Sequence, residues 1–119
     1  SIAANVVLLE PGHGLVTLKE RRKVSNHLQS VHAIALANLS EMVTGLTLLN
    51  SLPDNARAIL TSIQIQYHKK ARGLLTAECV CEIPENNTER EMQVSGEIKN
   101  EVGEVVATAT ATWRIGPEK

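Results

Sequence analysis

The stretch Ser25–Glu41, SNHLQSVHAIALANLSE, decides how this sequence is interpreted. It opens a segment of thirty positions, residues 24–53, in which Glu41 is the single Asp, Glu, Lys or Arg. From Ser30 to about Asn50 the pattern is helical, and Ser30 is a suitable N-cap because its hydroxyl can accept a hydrogen bond from a free first-turn amide. Apolar residues fall on every side of this segment, which is typical of a buried helix. We therefore expect an enclosed helix that carries one carboxylate.

Strands are predicted on both sides of this helix. Residues 5–20 alternate loosely and are broken by PGHG, which predicts a strand, a turn and a second strand. After Pro53 the period changes to two, and long antiparallel strands joined by short hairpin loops are predicted at residues 59–68, 75–83, 92–98 and 105–115. A sheet that curls around the helix, with a second subunit as further cover, would enclose it. We expect one α+β domain over residues 1–119, and further residues upstream because the chain begins at Ser1.

Composition narrows the classes of function. A net charge of −1 over 119 residues argues against a nucleic-acid partner, and no apolar run reaches the ~20 residues of a membrane span without polar interruption. Cys79 and Cys81 would share one face of a strand, badly aimed for a disulfide and too few for a zinc site, which favours a reducing cytoplasm. The five-residue spacing of His27 and His32 does not suit metal ligands on one helix face. We therefore expect neither a metal nor a cofactor.

A carboxylate on a buried helix has two interpretations. Desolvation raises its pKa unless donors satisfy it, and such a water-shielded group suits a general base or a nucleophile. Alternatively, Glu41 pairs with a cation at a helix end or lies on an exposed seam. His32 and Glu41 are nine residues apart, so in one helix they point to opposite sides, about 13 Å apart along the axis. If the two residues act together, they come from two subunits, and a two-fold axis creates two identical sites.

The start of the helix offers the complementary chemistry. First-turn amides lack intrahelical partners and lie at the positive end of the helix dipole. The amides near His32 and Ala33 could therefore stabilise an oxyanion. Asn26, just upstream, could orient a water molecule or a carbonyl group. Equally, Asn26 is a loop residue, and His32 is a structural histidine hydrogen-bonded at the helix start.

This arrangement of residues resembles a known superfamily. Asn26, His32 six residues later and an acid nine residues after that are similar to the hotdog-fold acyl-CoA thioesterases, whose pattern is N-x-x-G-x-x-H-G-G followed by an acid. The segments NHLQSVHAIALANLSEMVTGL and IQIQYHKKARG resemble the branch of uncharacterised thioesterase-like proteins. The resemblance extends from about Val6 to Trp113. It implies a hotdog fold, in which an antiparallel sheet wraps around one long central helix.

The resemblance also implies a role for each residue of the motif. Glu41 would be the base or nucleophile, Asn26 would position the water or carbonyl, His32 would brace the helix start, and the Ala33 amide would donate to the oxyanion. Members form homodimers or dimers of dimers, with Glu41 of one chain facing Asn26 and His32 of the other. This sequence departs from the pattern because Gln29 and Ala33 stand where glycines are usual, and Glu41 replaces the commoner Asp.

Other residues are candidates for binding the substrate. Lys69, Lys70 and Arg72, expected at a hairpin, suit the phosphates of coenzyme A, although such charge runs are often only solvated. A hydroxyl often found on the strand after the helix falls near Leu60, and Ser62 is a candidate for it. We include Ser62 among the substrate-binding residues.

Three functions remain from the sequence. The leading one is hydrolysis of an acyl-CoA or related thioester, with coenzyme A entering only as part of the substrate. The alternative is a non-catalytic hotdog module that binds acyl-CoA or a lipid-like ligand, and Gln29 and Ala33 favour it. A dehydratase of the same fold is disfavoured because no Asp stands beside His32.

Overall fold

The computed structural model describes residues 4–19 and 28–118, with side chains throughout these ranges except at residues 28–32. Within them, one helix and six strands follow each other in the predicted order. They are β1 (Ala4–Glu10), β2 (His13–Lys19), α1 (Leu28–Ser51), β3 (Ala56–Tyr67), β4 (Leu74–Val80), β5 (Arg90–Lys99) and β6 (Val105–Pro117). The α+β class is confirmed. The end of β4 differs from the prediction, because Ile83, predicted on that strand, lies beyond it and is exposed.

The strands form one antiparallel sheet whose order is β1-β2-β4-β5-β6-β3. β3 pairs with β6 and not with β4, so the predicted hairpin between β3 and β4 is wrong. Residues 68–73, here called the crossover loop, instead connect the β3 edge of the sheet to β4 in its interior. A period of two identifies strands but does not identify which strands pair. The open edges of the sheet are β1 and β3.

The helix packs against one face of this sheet at very close range. A methyl group built on Gly14 of β2 would overlap the hydroxyl of Thr47, and one built on Gly96 of β5 would lie 3.3 Å from Val43 Cγ1. These two glycines therefore let the helix backbone approach the strands. The apolar core around this contact includes Val16, Leu36, Leu48, Val94, Ile98 and Ile115.

Among the described side chains of α1, four polar ones lie on its buried side, and all four are hydroxyls. Each donates to the backbone carbonyl oxygen four residues earlier at 2.6–2.8 Å, and they are Ser40, Thr44, Thr47 and Ser51. Because each hydroxyl donates within the helix, it can be buried against the sheet without a hydrogen-bond acceptor from a strand. Ser51 Oγ also accepts from the Gly12 amide at 2.8 Å, which ties the β1–β2 turn to the end of the helix.

A single chain does not enclose the helix, and the predicted cover by a second subunit stays a prediction. Ile34 is 61% exposed and Leu49 is 52% exposed. Asn38 and Glu41 are also exposed and lie on the same side of α1. We call Ile34, Asn38, Glu41 and Leu49 the outer helix stripe; Gly45, on the same side, interrupts it because it is buried against Trp113. The reason for this exposure is geometric, because one six-stranded sheet covers only one side of a helix that is apolar on all sides.

The bounds of the helix also differ slightly from the prediction. It begins at Leu28, two residues before the predicted cap Ser30, and ends at Ser51. By length and composition alone, Ala33–Ser51 could cross a membrane. In this fold the segment is the core helix, because it carries the buried residues that pack against the sheet.

A bulge interrupts the alternation of β3. The register with β6 shifts between Leu60 and Ser62, so Thr61 is the additional residue. Leu60 packs against the core before the shift and Ile63 after it. Ile59, predicted on the same face as Ile63, is 50% exposed. The prediction of one uninterrupted alternating face is therefore wrong at this point, because the bulge changes which residues point inward.

The two cysteines have free thiols, as expected. Cys79 is buried on β4, and Cys81 lies half-buried just beyond that strand. Burial raises the pKa of the Cys79 thiol to about 11, despite a hydrogen bond with Thr47 that lowers it. Burial also raises the pKa of the Cys81 thiol. Since the thiolate is the nucleophilic form, neither cysteine is suited to nucleophilic catalysis at neutral pH.

Candidate active site

The oxyanion site is predicted at the start of the helix. In a helix that begins at Leu28, the helical amides without intrahelical partners are those of residues 28–30. Ala33 is the sixth helical residue, where an amide ordinarily bonds within the helix, and its predicted role as an oxyanion donor stays a prediction. Asn26 and the side chain of His32 lie outside the described residues, and their roles stay predictions.

Glu41 lies in the middle of the outer helix stripe. It is exposed in the single chain, and its carboxylate has no hydrogen bond or ion pair with the residues that the structure describes. The predicted buried environment is therefore absent from one chain. Eight residues separate Glu41 from Ala33, or about 12 Å along the helix axis. One chain thus holds the acid and the helix start far apart, as the spacing in the sequence predicted.

The edge strand β3 contacts the helix directly near the helix start and indirectly, through β6, near the middle of the helix. The Tyr67 hydroxyl donates to the carbonyl oxygen of Ala33 at 3.0 Å. Nearer the middle, Leu60 of β3 pairs with Trp113 of β6, whose ring contacts Gly45, one helical turn beyond Glu41. This part of the helix, one turn from Glu41, therefore lies over β6, the strand that pairs with the edge strand β3.

Ser62 lies on this edge strand, directly after the bulge. Its side chain is exposed, and it is paired in register with Thr112 of β6. The described residues provide it with no side-chain hydrogen bond. This leaves the Ser62 hydroxyl available to a ligand or to a second chain, and its predicted role stays a prediction.

The basic residues of the crossover loop do not share one environment. Lys69 Nζ lies 2.6 Å from Glu104 Oε2, and Asn100 also donates to Glu104, at 2.9 Å. These hydrogen bonds lower the pKa of the Glu104 carboxyl. Lys70 and Arg72 are exposed and form no ion pair with the part of the chain that the structure describes. Two of the three predicted phosphate ligands are therefore available to an anion, and the third is neutralised.

The crossover loop also lies close to the start of the helix. The loop follows Tyr67, and Tyr67 is hydrogen-bonded to Ala33 in the second helical turn. The fold thus brings Lys70 and Arg72 to the end of the molecule that holds the free helix amides. Sequence reasoning assigned no role to Tyr67, although it stands in the quoted segment IQIQYHKKARG.

A small apolar cleft lies on the β1–β2 side of the helix and shares Asn38 with the outer helix stripe. Its volume is about 60 Å³, and it is lined by Ala4, Leu18, Ala35, Asn38, Leu39 and Met42. This volume is less than half of the roughly 150 Å³ cavity that holds one benzene molecule. The cleft adjoins β1 and β2 and not the β3 edge, so it is too small and badly placed to hold an acyl chain beside Glu41.

Comparison with known proteins gives the family of the chain. The sequence matches the family described as a domain of unknown function, DUF4442, over residues 1–115. The chain belongs to the DUF4442 family. A search of curated protein sequences gives no match.

Solved structures similar to this DUF4442 chain give the fold. The crystal structure of a genomics target is 29% identical, with a TM-score of 0.84 over 96% of this chain and 77% of that one. A Pseudomonas aeruginosa protein named as a probable thioesterase of unknown function is 22% identical, with a TM-score of 0.83 over 97% and 83%. A Streptococcus mutans protein bound to acetyl-CoA is 23% identical, with a TM-score of 0.78 over 98% and 92%. These matches confirm the expected hotdog fold.

Proposed function

We propose that this DUF4442 chain hydrolyses an acyl-CoA or related thioester at a site formed between two copies. The observation that carries the proposal is Glu41, the lone charged residue of an exposed and partly apolar helix stripe beside an open sheet edge. A carboxylate needs partial desolvation to act as a base or nucleophile near neutral pH, and a second chain would supply it. The thioesterase name of the Pseudomonas protein and the acetyl-CoA of the Streptococcus protein support the reaction class.

The second copy pairs through β3. This strand has twelve residues, and one of its edges is unpaired within the described chain. An open edge of this length is a template for another strand, and a two-fold axis makes the pairing self-complementary. Joining two β3 strands extends the sheet across both copies and places the two helices on the same side. The partner then covers the outer helix stripe, including Ile34 and Leu49.

In this dimer the helix start of one copy faces Glu41 of the other. The first-turn amides donate to the thioester carbonyl oxygen and stabilise the negative charge that develops on it. Glu41 either removes a proton from the attacking water or attacks the carbonyl carbon, forming an anhydride that water then opens. In both routes the carbon–sulfur bond breaks and coenzyme A leaves as a thiol after protonation. Asn26 orients the water or carbonyl, and His32 braces the helix start.

Coenzyme A lies across the crossover loop. Lys70 and Arg72 bind its phosphates, and Lys69 adds positive charge from its ion pair with Glu104. The Ser62 hydroxyl contributes from the adjacent strand. The chemistry requires neither a metal nor a resident cofactor, and we place it in the cytoplasm, where two free thiols persist. Two such dimers can associate into a tetramer.

The second candidate is a binding module without turnover. Gln29 and Ala33 favour it, because both stand where the resembling thioesterases have glycine beside the oxyanion site. Such a module would hold acyl-CoA or a lipid-like ligand at the same surface.

The experiment compares Glu41→Gln with the wild type across a series of acyl-CoA lengths. We expect kcat to fall by about 10²–10⁴-fold with the dimer intact by analytical ultracentrifugation. Glu91→Gln, an exposed carboxylate on β5, is the matched control and should leave kcat unchanged. An equal rate in Glu41→Gln, or a wild-type protein that is monomeric and active, excludes the mechanism. A wild type that binds CoA by calorimetry but hydrolyses nothing establishes the binding module.

A further inference from the structure

One side-chain hydrogen bond connects the edge strand to the helix. The Tyr67 hydroxyl donates to the Ala33 carbonyl oxygen at 3.0 Å, across 34 positions of sequence. In the described part of the chain, no other hydrogen bond joins β3 to α1. Tyr67 is the last residue of β3, and Ala33 lies in the second helical turn. This hydrogen bond therefore gives the edge strand a direct connection to the start of the helix.

The residues that follow Tyr67 are anchored to the sheet. The His68 amide donates to the Val106 carbonyl at 2.8 Å and the Lys69 amide to the same oxygen at 3.3 Å. His68 Nε2 also lies 3.1 Å from Thr108 Oγ1. The crossover loop thus leaves the sheet along a fixed path, and the exposed Lys70 and Arg72 come directly after the anchored residues. A ligand bound by Lys70 and Arg72 would therefore contact the chain directly after an anchored segment that begins at Tyr67.

We propose that Tyr67 is a positioning residue that couples capture of the coenzyme A phosphates to the orientation of the helix start. The inference rests on the proposed function and deepens it. Binding energy from a remote part of a substrate can be used to orient the reacting centre, and truncated substrates then lose kcat as well as affinity. Phosphates on Lys70 and Arg72 fix the crossover loop, and the Tyr67 hydroxyl carries this constraint to the second helical turn. The first-turn amides then hold the thioester carbonyl in line with Glu41 of the partner subunit.

The test uses one acyl group on two carriers. Coenzyme A has the nucleotide phosphates and pantetheine lacks them, while the thioester is the same. We expect the wild type to turn over acyl-CoA faster at saturation than acyl-pantetheine. In Tyr67→Phe, which removes only the hydroxyl, kcat on acyl-CoA should fall about fivefold to tenfold, as expected for one lost hydrogen bond. On acyl-pantetheine the kcat of Tyr67→Phe should differ less than twofold from that of the wild type, because this substrate has no nucleotide phosphates to bind Lys70 and Arg72.

A merely structural role would lower both values of kcat by the same factor, and that result overturns the inference. Equal kcat of the wild type on the two carriers also overturns it. Arg57→Gln is the matched control, since it removes a hydrogen bond to the Pro117 carbonyl at the other end of β3 and should leave the ratio of the two rates unchanged. Thermal midpoints identify a variant that has lost its fold.

A second measurement does not depend on the Tyr67 variant. Replacing Lys70 and Arg72 together by Gln should lower kcat on acyl-CoA to the level of acyl-pantetheine, in addition to raising KM. An effect on KM alone overturns the coupling even if Tyr67→Phe fails to fold. If the wild type hydrolyses neither substrate, both the proposed function and this inference are overturned. If it hydrolyses both substrates but the variants do not change kcat as expected, only the coupling is overturned.

Discussion

The indole of Trp113 packs directly on Gly45, the one glycine of the helix. A methyl group built on Gly45 would lie 3.2 Å from both Cζ2 and Cη2 of the ring. Trp113 is 7% exposed, and in the sheet it stands between Leu60 of β3 and Met92 of β5. Its indole N–H is buried without an acceptor among the described residues. The helix therefore approaches the β3 side of the sheet as closely as a residue without a side chain permits, one turn from Glu41.

Substitution of Gly45 by Ala tests this contact. An alanine in a helix gains about 1 kcal/mol over glycine, but overpacking a filled core costs about 1–3 kcal/mol. Because the Trp113 ring is held between two strands, we expect a net loss of about 1 kcal/mol in the free energy of unfolding, measured by urea denaturation. In a Trp113→Leu background the same substitution should become neutral or stabilising. A gain in stability with Trp113 present would contradict the packing.

Gly14→Ala probes the other close contact between helix and sheet. The added methyl would overlap Thr47 Oγ1 and lie 3.5 Å from Leu9 Cδ1. We expect a loss of about 2 kcal/mol or more in the free energy of unfolding, and partial recovery when Thr47→Ala makes room. Gly116→Ala is the control, since its methyl would meet only Glu89 Cγ at 3.8 Å. Equal costs at the two glycines would show that the close approach of Thr47 is not limiting.

The buried thiol of Cys79 gives stability a dependence on alkaline pH. Its pKa is raised from 9.0 to about 11 by burial, so the folded state keeps a proton that the unfolded state has lost. The contribution is fully present below about pH 9 and disappears as pH rises through about 11, with a slope of at most about 1.4 kcal/mol per pH unit. The difference in unfolding free energy between wild type and Cys79→Ala, measured from pH 8 to 11, should therefore shrink with rising pH. A difference that is constant over this range would contradict the burial.

Binding of coenzyme A should distinguish the three basic residues of the crossover loop. Lys70→Gln and Arg72→Gln should each raise the Kd for coenzyme A by about threefold to tenfold. Increasing salt should reduce the difference in Kd between each variant and the wild type. Lys69→Gln should have a smaller effect, because Lys69 is already paired with Glu104 at 2.6 Å. Calorimetry at two salt concentrations is the measurement. Glu104→Gln is the converse control: it frees Lys69 and should tighten binding, and weaker binding would contradict this reading of the loop.

The local patterns of the sequence predicted most of the elements. The uncharged run around Glu41 indicated one long helix, and the period of two indicated the strands, because side chains return to the same side every 3.6 residues in a helix and every two residues in a strand. The nine-residue spacing of His32 and Glu41 also predicted that one chain would hold them apart. These properties depend on neighbours in sequence.

Only the tertiary structure decided the pairing of β3 with β6 and the bulge at Thr61, since both depend on residues about fifty positions away. The exposure of Glu41 and the hydrogen bond between Tyr67 and Ala33 also depend on residues that are distant in sequence. A sequence shows that a helix is apolar on all sides, but the number of strands that reach around it sets how much of it is buried. One sheet covers one side, and the uncovered stripe with its single acid follows from that geometry.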